Sequence, residues 1–425
     1  MREKIRLGVI GCGSIAGKRH LPGLANLQKA GLDTFEVTAV CDSTEANLRA
    51  AAAYAREHLG SEPATYRSWE EVVGGGAVDA VDVCLPHGLH HIVGVACLDA
   101  GIDVLIEKPL AVSLKTGKLL VAAAERNGRT LSAAIPLRRL PGQRAVHWAL
   151  NGARLIGDVR TFFHTYTNWR PQPPATDPVP DGVRWRRDRV MGGGNTVLDS
   201  GAHFLDTLRY LHGEVEQVYA EVRAYQDGQP VVAREGIAER RENTVMAVLT
   251  FKSGVVGTWC WSTVAAGKEV RDCVIHGTEG SIEDTNYADS SIVCHLFKGG
   301  AELRRRDGSY MSMHELQSRH RNAIGAEGME RLFPNGVTDE FALTIWDFLK
   351  AVETGGTPEI DGRDGLATLA VAEAIYESSW RGQAVKVESL LSGELPSLWQ
   401  ADIDAYWDEH GVPGPAAARP GAGRA

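Results

Sequence analysis

Along the first 135 residues, short apolar runs alternate with longer segments whose apolar residues recur every three or four positions. The short runs have the length of buried strands, and the longer segments have the period of amphipathic helices. The predicted strands are Ile5–Ile10, Glu36–Cys41, Val78–Leu85, Asp103–Ile106 and Thr130–Ala134, and the predicted helices are Ser14–Ala30, Thr44–His58, His90–Ala100 and Leu114–Asn127. This alternation predicts an α/β domain with a doubly wound parallel sheet and helices on both faces.

After Pro136 the pattern changes to a series of strand-like segments with few helices between them. Two of these segments are joined by the turn residues Ser253–Gly254, which is typical of a β-hairpin. The predicted strands are Arg160–Tyr166, Val218–Ala224, Thr244–Phe251, Val255–Ser262, Val270–His276 and Ser291–Leu296. The other predicted elements are a proline-rich loop over 170–181, a helix from about Asn195, long loops over 297–337, and helices over Asp339–Val352 and Asp364–Trp380. Together they predict an α/β domain with a large, mostly antiparallel sheet.

The two patterns predict two domains, over residues 1–135 and 136–410, with C-terminal helices that partly pack back on the first domain. Residues 411–425 are rich in proline, glycine and alanine, which predicts a disordered tail. Apolar positions alternate along Thr244–Ser262, so that one face of the second sheet is left open. Burial of this face against another copy predicts a homodimer or homotetramer.

The composition excludes several classes of protein. Of the 425 residues, 44% are hydrophobic and 23% are charged, which is typical of a globular chain. The formal net charge of -9 disfavours binding to nucleic-acid phosphates and to anionic membranes. No segment has the roughly 18 consecutive apolar residues of a membrane span. We therefore expect a soluble protein with no nucleic-acid or membrane partner.

The cysteine content indicates the compartment. No two cysteines are separated by only two residues, and their number is odd. The seven are Cys12, Cys41, Cys84, Cys97, Cys260, Cys273 and Cys294. Free, buried thiols in a reducing compartment explain this better than disulfides or zinc. We expect a cytoplasmic protein without a metal site.

A glycine-rich turn with the sequence GCGSIA follows the first predicted strand and opens a helix. Gly11 permits the tight turn, Gly13 lets the backbone approach a pyrophosphate, and Ala16 replaces a third glycine while still allowing close helix packing. The phosphates would lie at the helix N-terminus, where free N–H groups and the dipole favour anions. A strand, a glycine-rich turn and a helix in this order predict a dinucleotide site.

Asp42, at the end of the second predicted strand, bears on the choice of dinucleotide. It lies further from Gly13 than the usual spacing of about 20 residues, and a longer connection between helix and strand accounts for the difference. A carboxylate there accepts hydrogen bonds from a ribose diol and repels a 2′-phosphate. NAD is therefore favoured over NADP, although Ser43, Thr44 and Arg49 leave a phosphate pocket open. Alternatively, Asp42 only caps the following helix.

Two further motifs supply candidate catalytic groups. Lys108, in Glu107-Lys108-Pro109, ends a predicted strand, where open α/β sheets bind their ligands. There it would hold a substrate hydroxyl near the nicotinamide, unless it is only a surface lysine. Asp199 and His203 follow three glycines at 192–194 and lie one helical turn apart. Histidine suits proton transfer near neutral pH, although an exposed acid–histidine pair gives the same spacing.

In combination these motifs resemble the glucose–fructose oxidoreductase, inositol dehydrogenase and rhizopine catabolism (Gfo/Idh/MocA) family. The matching segments follow the family's order and cover most of residues 4–390. They are GCGSIA at 11–16, Asp42, Pro86 with His90, AGIDVLIEKPLA at 100–111, Arg184-Trp185-Arg186, GGGNTVLDSGAH at 192–203 and IDGRDGLATLAVAEAIYESS at 360–379. The resemblance implies a Rossmann domain followed by an α/β domain with a large open-faced sheet.

The resemblance also implies hydride transfer between nicotinamide and a sugar or cyclitol. The family's catalytic lysine, aspartate and histidine correspond to Lys108, Asp199 and His203. His203 would be the general base, and Asp199 would orient it or bind a neighbouring hydroxyl. The residues expected to bind NAD, or less favourably NADP, are Gly11, Gly13, Ser14, Ile15, Ala16, Asp42, Pro86, His87, His90, Glu107 and Lys108.

Two departures from the family pattern affect the pocket. His87 stands where relatives usually have asparagine, and Ala134-Ile135-Pro136 replaces their Gly-Tyr-Asn before Arg138. These positions face nicotinamide and substrate. The residues expected to bind substrate are Lys108, Arg138, Asn168, Trp169, Trp185, Arg186, Asp199 and His203. The tryptophans among them are equally explained as anchors of a loop.

The sequence thus leads to one main hypothesis and two alternatives. The main hypothesis is an NAD(P)-dependent oxidoreductase acting on a secondary hydroxyl, or the matching ketone, of a sugar, glycoside or cyclitol. The first alternative is a glycosidase that retains NAD and acts by transient oxidation and elimination. The second is a dinucleotide-sensing regulator without activity. Such a regulator would be expected to lose the lysine or the histidine, whereas both are present.

Overall fold

In the computed structural model, the described residues are 4–169, 181–226, 229–231, 242–285 and 296–411. None of the helices within these ranges combines the length and apolarity that a membrane span requires. The predicted proline-rich loop, most of the predicted strand Ser291–Leu296 and the predicted tail lie outside the described residues.

The N-terminal region folds as a six-stranded parallel sheet with helices on both faces. Its strands are β1 (Ile5–Ile10), β2 (Phe35–Cys41), β3 (Ala64–Tyr66), β4 (Ala80–Val83), β5 (Asp103–Glu107) and β6 (Leu131–Ala134). Its helices are α1 (Leu21–Lys29, preceded by a wider turn over Ala16–His20), α2 (Glu45–Tyr54), α3 (Trp69–Gly74), α4 (His90–Asp99) and α5 (Leu114–Asn127). The strand order β3-β2-β1-β4-β5-β6 confirms the predicted doubly wound fold.

The strand order creates a crevice beside the carboxyl end of β1. From β1 the chain winds outward to β2 and β3 on one side, and to β4, β5 and β6 on the other. The connections on the two sides therefore leave in opposite directions, and ligands of open α/β sheets bind at this point. Strands β4, β5 and β6 are buried throughout, which explains their continuous apolar runs.

The C-terminal region contributes ten described strands to a second sheet. They are β7 (Val159–Thr167), β8 (Val215–Gln226), β9 (Gln229–Val231), β10 (Thr244–Phe251), β11 (Val256–Ser262), β12 (Val270–Gly277), β13 (Gly280–Glu283), β14 (Glu302–Arg305), β15 (Tyr310–Ser312) and β16 (Val385–Lys386). The order is β15-β14-β13-β12-β7-β11-β10-β8-β16, and β9 pairs with β8. Only β7 and β11 pair in parallel among these strands, which confirms the predicted mostly antiparallel sheet.

Helices cover one face of this sheet and fill the space between the two regions. They are α6 (Pro141–His147), α7 (Asp181–Arg184), α8 (Arg189–Gly192), α9 (Gly201–His212, preceded by a wider turn over Thr196–Ser200), α10 (Met313–Leu332), α11 (Glu340–Thr354), α12 (Gly362–Arg381), α13 (Val387–Ser392) and α14 (Ala401–His410). Helix α12 lies along β8, whose Ala220 and Val222 N–H groups donate to the Ser378 and Ser379 hydroxyls at 2.9 Å.

The prediction of long loops over residues 297–337 is wrong. This region contains β14, β15 and the helical segment α10, which is interrupted by a kink at Gly325. Few side chains of α10 are buried, so its sequence lacks the apolar period that marks a core-facing helix. A usable signal was present, because the Ser312 hydroxyl caps α10 by accepting from the Glu315 N–H, in a Ser-x-x-Glu pattern.

The two regions pack directly on each other. Gly23 of α1 lies against Ala342 of α11, where an added Cβ would come within 3.1 Å of the Ala342 nitrogen. At the edge of the parallel sheet, the Ser132 hydroxyl donates to the Ile360 carbonyl at 2.9 Å. Elements far apart in the chain therefore support the sheet that carries the glycine-rich turn. The boundary at residues 135 and 136 stays a prediction.

The face of the second sheet opposite the helices carries a row of apolar side chains. Register across the strands aligns Val274, Phe163, Thr258, Val248 and Tyr219 on β12, β7, β11, β10 and β8. Phe163, Val248 and Tyr219 are 48%, 42% and 46% exposed. Large apolar side chains in one exposed row are typical of an interaction surface.

Candidate active site

The glycine-rich turn has the backbone geometry of a dinucleotide site. Gly11 adopts φ +89°, and a Cβ there would lie 2.5 Å from the Cys84 carbonyl oxygen. A Cβ at Gly13 would meet nothing within 4 Å, so this side of the turn is open. The Gly17 N–H donates to the Gly13 carbonyl at 3.0 Å, so the N–H groups before Gly17 have no acceptor within the helix. This arrangement fits a pyrophosphate at the helix N-terminus.

Asp42 faces this turn from the carboxyl end of β2. Its carboxylate accepts from the Cys12 N–H at 2.8 Å and from the Thr44 N–H at 2.7 Å. The first residues of the helix follow beside it, with Ser14 exposed and Ile15 half-buried. The carboxylate is therefore fixed beside the turn, where a ribose diol could be bound.

Sequence reasoning missed Arg67, which lies next to Asp42 in the fold. Its guanidinium donates to the Ser43 carbonyl at 2.6 Å and to the Glu45 carboxylate at 2.5 Å. Arg49, named with Ser43 in the predicted phosphate pocket, is exposed and 3.7 Å from Glu45. Arg67 lies in the short connection between β3 and α3, two elements that the sequence pattern did not predict, so its proximity to Asp42 follows only from the fold.

Lys108 and Asp199 meet at the carboxyl end of β5. The Lys108 Nζ donates to Asp199 Oδ1 at 2.5 Å and to the Asp199 carbonyl at 3.1 Å. Arg186 adds a contact of 3.1 Å between its Nε and Asp199 Oδ2. Burial alone would raise the pKa of the Asp199 carboxyl, but Lys108, His87 and Arg186 hold it well below its usual range. Both members of the ion pair are thus charged at neutral pH.

The pKa of Lys108 is shifted in the direction that keeps its charge. Burial would lower it, but the carboxylates of Asp199 and Glu107 raise it above its ordinary value. At neutral pH the side chain is therefore an ammonium group that donates hydrogen bonds and does not accept a proton.

A buried charge network lies beneath Lys108. His20, which is fully buried, places Nδ1 2.7 Å from Asp82 Oδ2 and Nε2 3.0 Å from Glu107 Oε1. The second oxygen of Glu107 accepts from the Lys108 N–H at 3.0 Å. His20 belongs to the helix that follows the glycine-rich turn, so this network joins the dinucleotide turn to the candidate catalytic lysine.

The protonation of His20 follows from the acidic groups beside it, Asp82 and Cys84. Burial would lower the pKa of His20, but Asp82 raises it well above its usual value, and the Cys84 side chain adds to this. His20, Asp82 and Cys84 offer metal-ligand atoms within 4.8 Å of one another. The short contact between His20 and Asp82 is that of a hydrogen bond, and the absence of a metal site stays a prediction.

The helix that carries Asp199 and His203 is fixed at its start by Glu242. One Glu242 oxygen accepts from the N–H groups of Asn195 at 2.9 Å and Val197 at 3.1 Å. His203 follows Asp199 by one turn of the same helix, and its ring is partly buried. Glu242 therefore fixes the position of the helix that brings Asp199 to Lys108. The sequence did not reveal this contact, because Glu242 is remote from that helix in the chain.

The three glycines before this helix approach other parts of the protein. A Cβ at Gly194 would lie 2.3 Å from the Tyr376 hydroxyl oxygen, which donates to Glu242 at 2.6 Å. A Cβ at Gly192 would lie 2.9 Å from the Arg186 carbonyl. Gly192 and Gly194 thus allow the start of the helix to pack closely against neighbouring residues.

His87 lies at the mouth of the crevice, directly after the half-buried Pro86. Its Nδ1 is 3.1 Å from the Gly192 carbonyl, and its ring is 4.6 Å from that of Trp185. Its Nε2 is 4.0 Å from Asp199 Oδ1. The structure therefore brings two predicted residues, His87 and Trp185, to the same place as the ion pair.

His90 connects the ends of two strands. Its Nδ1 lies 2.9 Å from the Pro109 carbonyl and its Nε2 lies 2.9 Å from the Leu85 carbonyl. Burial lowers the pKa of His90. The ring thus links the turn after Lys108 to the end of β4, and its contact with the cofactor stays a prediction.

Three predicted substrate residues make contacts elsewhere. Arg138 donates through Nε to Asp206 at 3.0 Å and through Nη2 to Asp364 at 2.9 Å. These buried contacts engage its guanidinium, and its contact with substrate stays a prediction. Asn168 donates to the Tyr166 hydroxyl at 2.6 Å, and Trp169 is 60% exposed. None of the described contacts joins these three to the ion pair.

The fold and the site together define a class of enzyme. A doubly wound parallel sheet with a glycine-rich turn, and a buried lysine–aspartate pair at the carboxyl end of a neighbouring strand, are the parts of a dinucleotide-dependent oxidoreductase. Residues 5–135 match the family model for an oxidoreductase family with an NAD-binding Rossmann fold, and residues 153–387 match the model for its C-terminal alpha/beta domain. The chain belongs to the Gfo/Idh/MocA oxidoreductase family.

The similar curated proteins are dehydrogenases and reductases. A 1,5-anhydro-D-fructose reductase from Ensifer adhaerens is 29% identical over 340 residues, covering 80% of this chain and 88% of the relative. A levoglucosan dehydrogenase from Pseudarthrobacter phenanthrenivorans is 25% identical, covering 91% and 99%. A myo-inositol 2-dehydrogenase from Thermotoga maritima is 27% identical, covering 91% and 100%. Like these relatives, the chain is an enzyme, as the sequence predicts.

Solved structures share the fold along most of the chain. A Thermotoga maritima oxidoreductase superposes with a TM-score of 0.67 at 26% identity, covering 92% of this chain and 100% of the other. A levoglucosan dehydrogenase in complex with NADH and levoglucosan superposes with a TM-score of 0.70 at 22% identity, covering 91% and 100%. At this identity the second match shows the fold alone.

The His20 network predicts how stability depends on pH. Because the folded-state pKa of His20 is raised, its contribution is full below the unfolded value of about 6.5 and is lost as pH rises through the folded pKa. We expect His20→Gln to lower the free energy of unfolding by about 3 kcal/mol near pH 6, and by less in alkali. Denaturant unfolding across this range measures it. His58→Gln, at a half-exposed position, is the control, and equal losses at all pH values would contradict a charged His20.

Proposed function

We propose that this enzyme transfers a hydride between NAD and a secondary hydroxyl, or the matching ketone, of a sugar, glycoside or cyclitol. The observation that carries the proposal is the ion pair between Lys108 and Asp199, which lies at the carboxyl end of β5 in the sheet that bears the glycine-rich turn. Nicotinamide supplies the hydride acceptor or donor when it is bound. Gly11, Gly13 and Asp42 fit the phosphates and ribose of this cofactor.

The charge states of the site support a division of labour. The Lys108 ammonium donates a hydrogen bond to the substrate oxygen and stabilises the negative charge that develops there. Asp199, held as a carboxylate, orients the lysine. Neither group is suited to accept a proton, because each is stabilised in its charged form. His203, one turn after Asp199, is the general base that takes the hydroxyl proton.

The substrate class rests on the relatives and on the groups around the ion pair. By their names, the relatives described above act on 1,5-anhydro-D-fructose, levoglucosan and myo-inositol. Arg186, with its guanidinium carbon 4.4 Å from the Trp185 ring centre, adds a donor and an apolar surface beside Asp199. Such groups suit a compact, polyhydroxylated ring.

NAD is the cofactor we propose, because the Asp42 carboxylate is fixed beside the turn by two backbone N–H groups. A 2′-phosphate would be repelled there. Relatives that use NADP exist, among them a D-xylose 1-dehydrogenase from Haloferax volcanii, so this choice needs its own test.

A cytoplasmic location is also proposed, supported by the six described cysteines, all of which are free.

Lys108→Ala and His203→Ala test the roles in catalysis. We expect each to lower kcat/KM by about 10²- to 10⁴-fold, measured as nicotinamide absorbance with levoglucosan, myo-inositol and D-xylose. Lys115→Ala, at an exposed lysine paired with Asp408, is the control. Wild-type turnover in both variants would refute the assignment. Release of free sugar from a glycoside without net NADH formation would instead favour the retained-NAD glycosidase.

Asp42→Ala tests the choice of cofactor. Loss of hydrogen bonds from the ribose diol to a carboxylate is expected to weaken NADH binding by roughly 10-fold or more, and removal of the charge is expected to improve NADPH binding. Dissociation constants from nicotinamide fluorescence measure both effects. Glu45→Ala removes a neighbouring exposed carboxylate as the control. Tighter binding of NADPH than NADH to the wild type would overturn the proposal.

A substitution in the apolar row of the second sheet tests whether the protein forms an oligomer. We propose that Phe163, Val248 and Tyr219 are covered by a second copy in a homodimer or homotetramer, because few monomers expose such a row. Val248→Lys is expected to shift sedimentation to the monomer at micromolar concentration. Leu119→Lys, at an equally exposed residue on α5, is the control. A wild type that sediments only as a monomer would contradict this assembly.

A further inference from the structure

His87 occupies a buried position between the two halves of the site. It follows β4 in the first sheet, and its ring is 3% exposed. On one side Nδ1 lies 3.1 Å from the Gly192 carbonyl, and on the other Nε2 lies 4.0 Å from Asp199 Oδ1. The Trp185 ring packs edge-on against it at 4.6 Å. The ring cannot turn freely, so its two nitrogens have fixed and different surroundings.

The hydrogen bond at Nδ1 determines which nitrogen carries the proton. A carbonyl oxygen only accepts, so Nδ1 must donate to Gly192. A neutral imidazole has one N–H group, which leaves Nε2 with a bare lone pair. The distance of 4.0 Å to Asp199 Oδ1 exceeds that of a hydrogen bond. Two acceptors, Nε2 and the Asp199 carboxylate, therefore lie side by side.

The surroundings keep this ring neutral. Burial is the main reason that the pKa of His87 falls to about 3, and the nearby His90 and Lys108 lower it further, although Asp199 acts in the opposite direction. The Gly192 carbonyl also favours the protonated form, without reversing the shift. A group with this pKa is too weak a base to take a substrate proton at neutral pH, so Nε2 can act only as a hydrogen-bond acceptor.

We propose that His87 Nε2 accepts a hydrogen bond from a substrate hydroxyl adjacent to the one that is oxidised. The inference rests on the proposed function, since the donor must be a polyol held at Lys108 and Asp199. An acceptor that bound substrate closes off from water is costly to leave unpaired, so a substrate that lacks this hydroxyl is rejected. His87 thereby makes the enzyme specific for vicinal diols, in addition to the single hydroxyl that Lys108 binds.

The tautomer can be measured without any substrate. In protein with ¹⁵N-labelled histidine, long-range ¹H–¹⁵N spectra distinguish a protonated ring nitrogen from a bare one, and His87→Asn identifies the signals. We expect a neutral ring, protonated at Nδ1, throughout pH 5.5 to 8. A His87 ring that titrates in this range, or that is protonated at Nε2, would overturn the proposal.

Two variants separate the nitrogens by function. The amide of His87→Asn can reach the Gly192 carbonyl in place of Nδ1, whereas it removes the acceptor at Nε2. His87→Gln extends an amide oxygen toward the position of Nε2. With levoglucosan or myo-inositol and their monodeoxy analogues, we expect wild type to discriminate about 10- to 100-fold against one analogue. His87→Asn is expected to lose this discrimination, and His87→Gln to retain part of it.

The other outcomes are equally decisive. If His87→Asn weakens NADH binding in fluorescence titrations and leaves discrimination between analogues unchanged, Nε2 binds the cofactor and the proposal is wrong. Unchanged discrimination together with unchanged NADH binding also refutes it. Wild-type protein that oxidises none of the sugars or cyclitols counts against the proposed function, and the spectra then still decide the state of His87.

Discussion

The contact between Lys108 and Asp199 is the interaction on which the site depends. Lys108 ends a strand of the parallel sheet, and Asp199 comes from the helix in front of the antiparallel sheet. An ion pair in which both side chains are mostly buried forms only if both partners are held accurately, because an unpaired buried charge is strongly destabilising. The packing of the two regions and the chemistry of the site thus both require Lys108 and Asp199 to be placed accurately against each other.

Each partner of this ion pair is supported by a separate buried acid. Glu107 accepts from the Lys108 N–H and is itself held by His20, whereas Glu242 fixes the start of the Asp199 helix. Glu107 ends β5 of the parallel sheet, whereas Glu242 lies just before β10 of the antiparallel sheet. Residues that touch no reacting atom therefore determine how Lys108 and Asp199 are placed. Active sites commonly hold their catalytic side chains in position through such supporting residues.

The sequence predicted the local elements and the motif residues well. Strands such as Ile5–Ile10 and Thr244–Phe251 were predicted to the residue, since their apolar runs and alternation reflect burial alone. Asp199 and Lys108 were found because each lies in a recognisable motif. His20, Glu242 and Arg67 were missed, because they carry no motif and meet their partners only in the fold. Helix α10 was missed since it buries few apolar side chains.

Arg138 illustrates why residue type and proximity in a motif do not fix a role. Its position after β6 suggested substrate binding, which stays a prediction, and the fold places two carboxylates beside it, Asp206 and Asp364. Both come from helices of the second region, so this arginine fixes the segment after β6 to those helices. Lys108 and Arg186 both form ion pairs with Asp199. One carboxylate thus organises the charges of the site, and the neutral ring of His87 beside it adds an acceptor without adding charge.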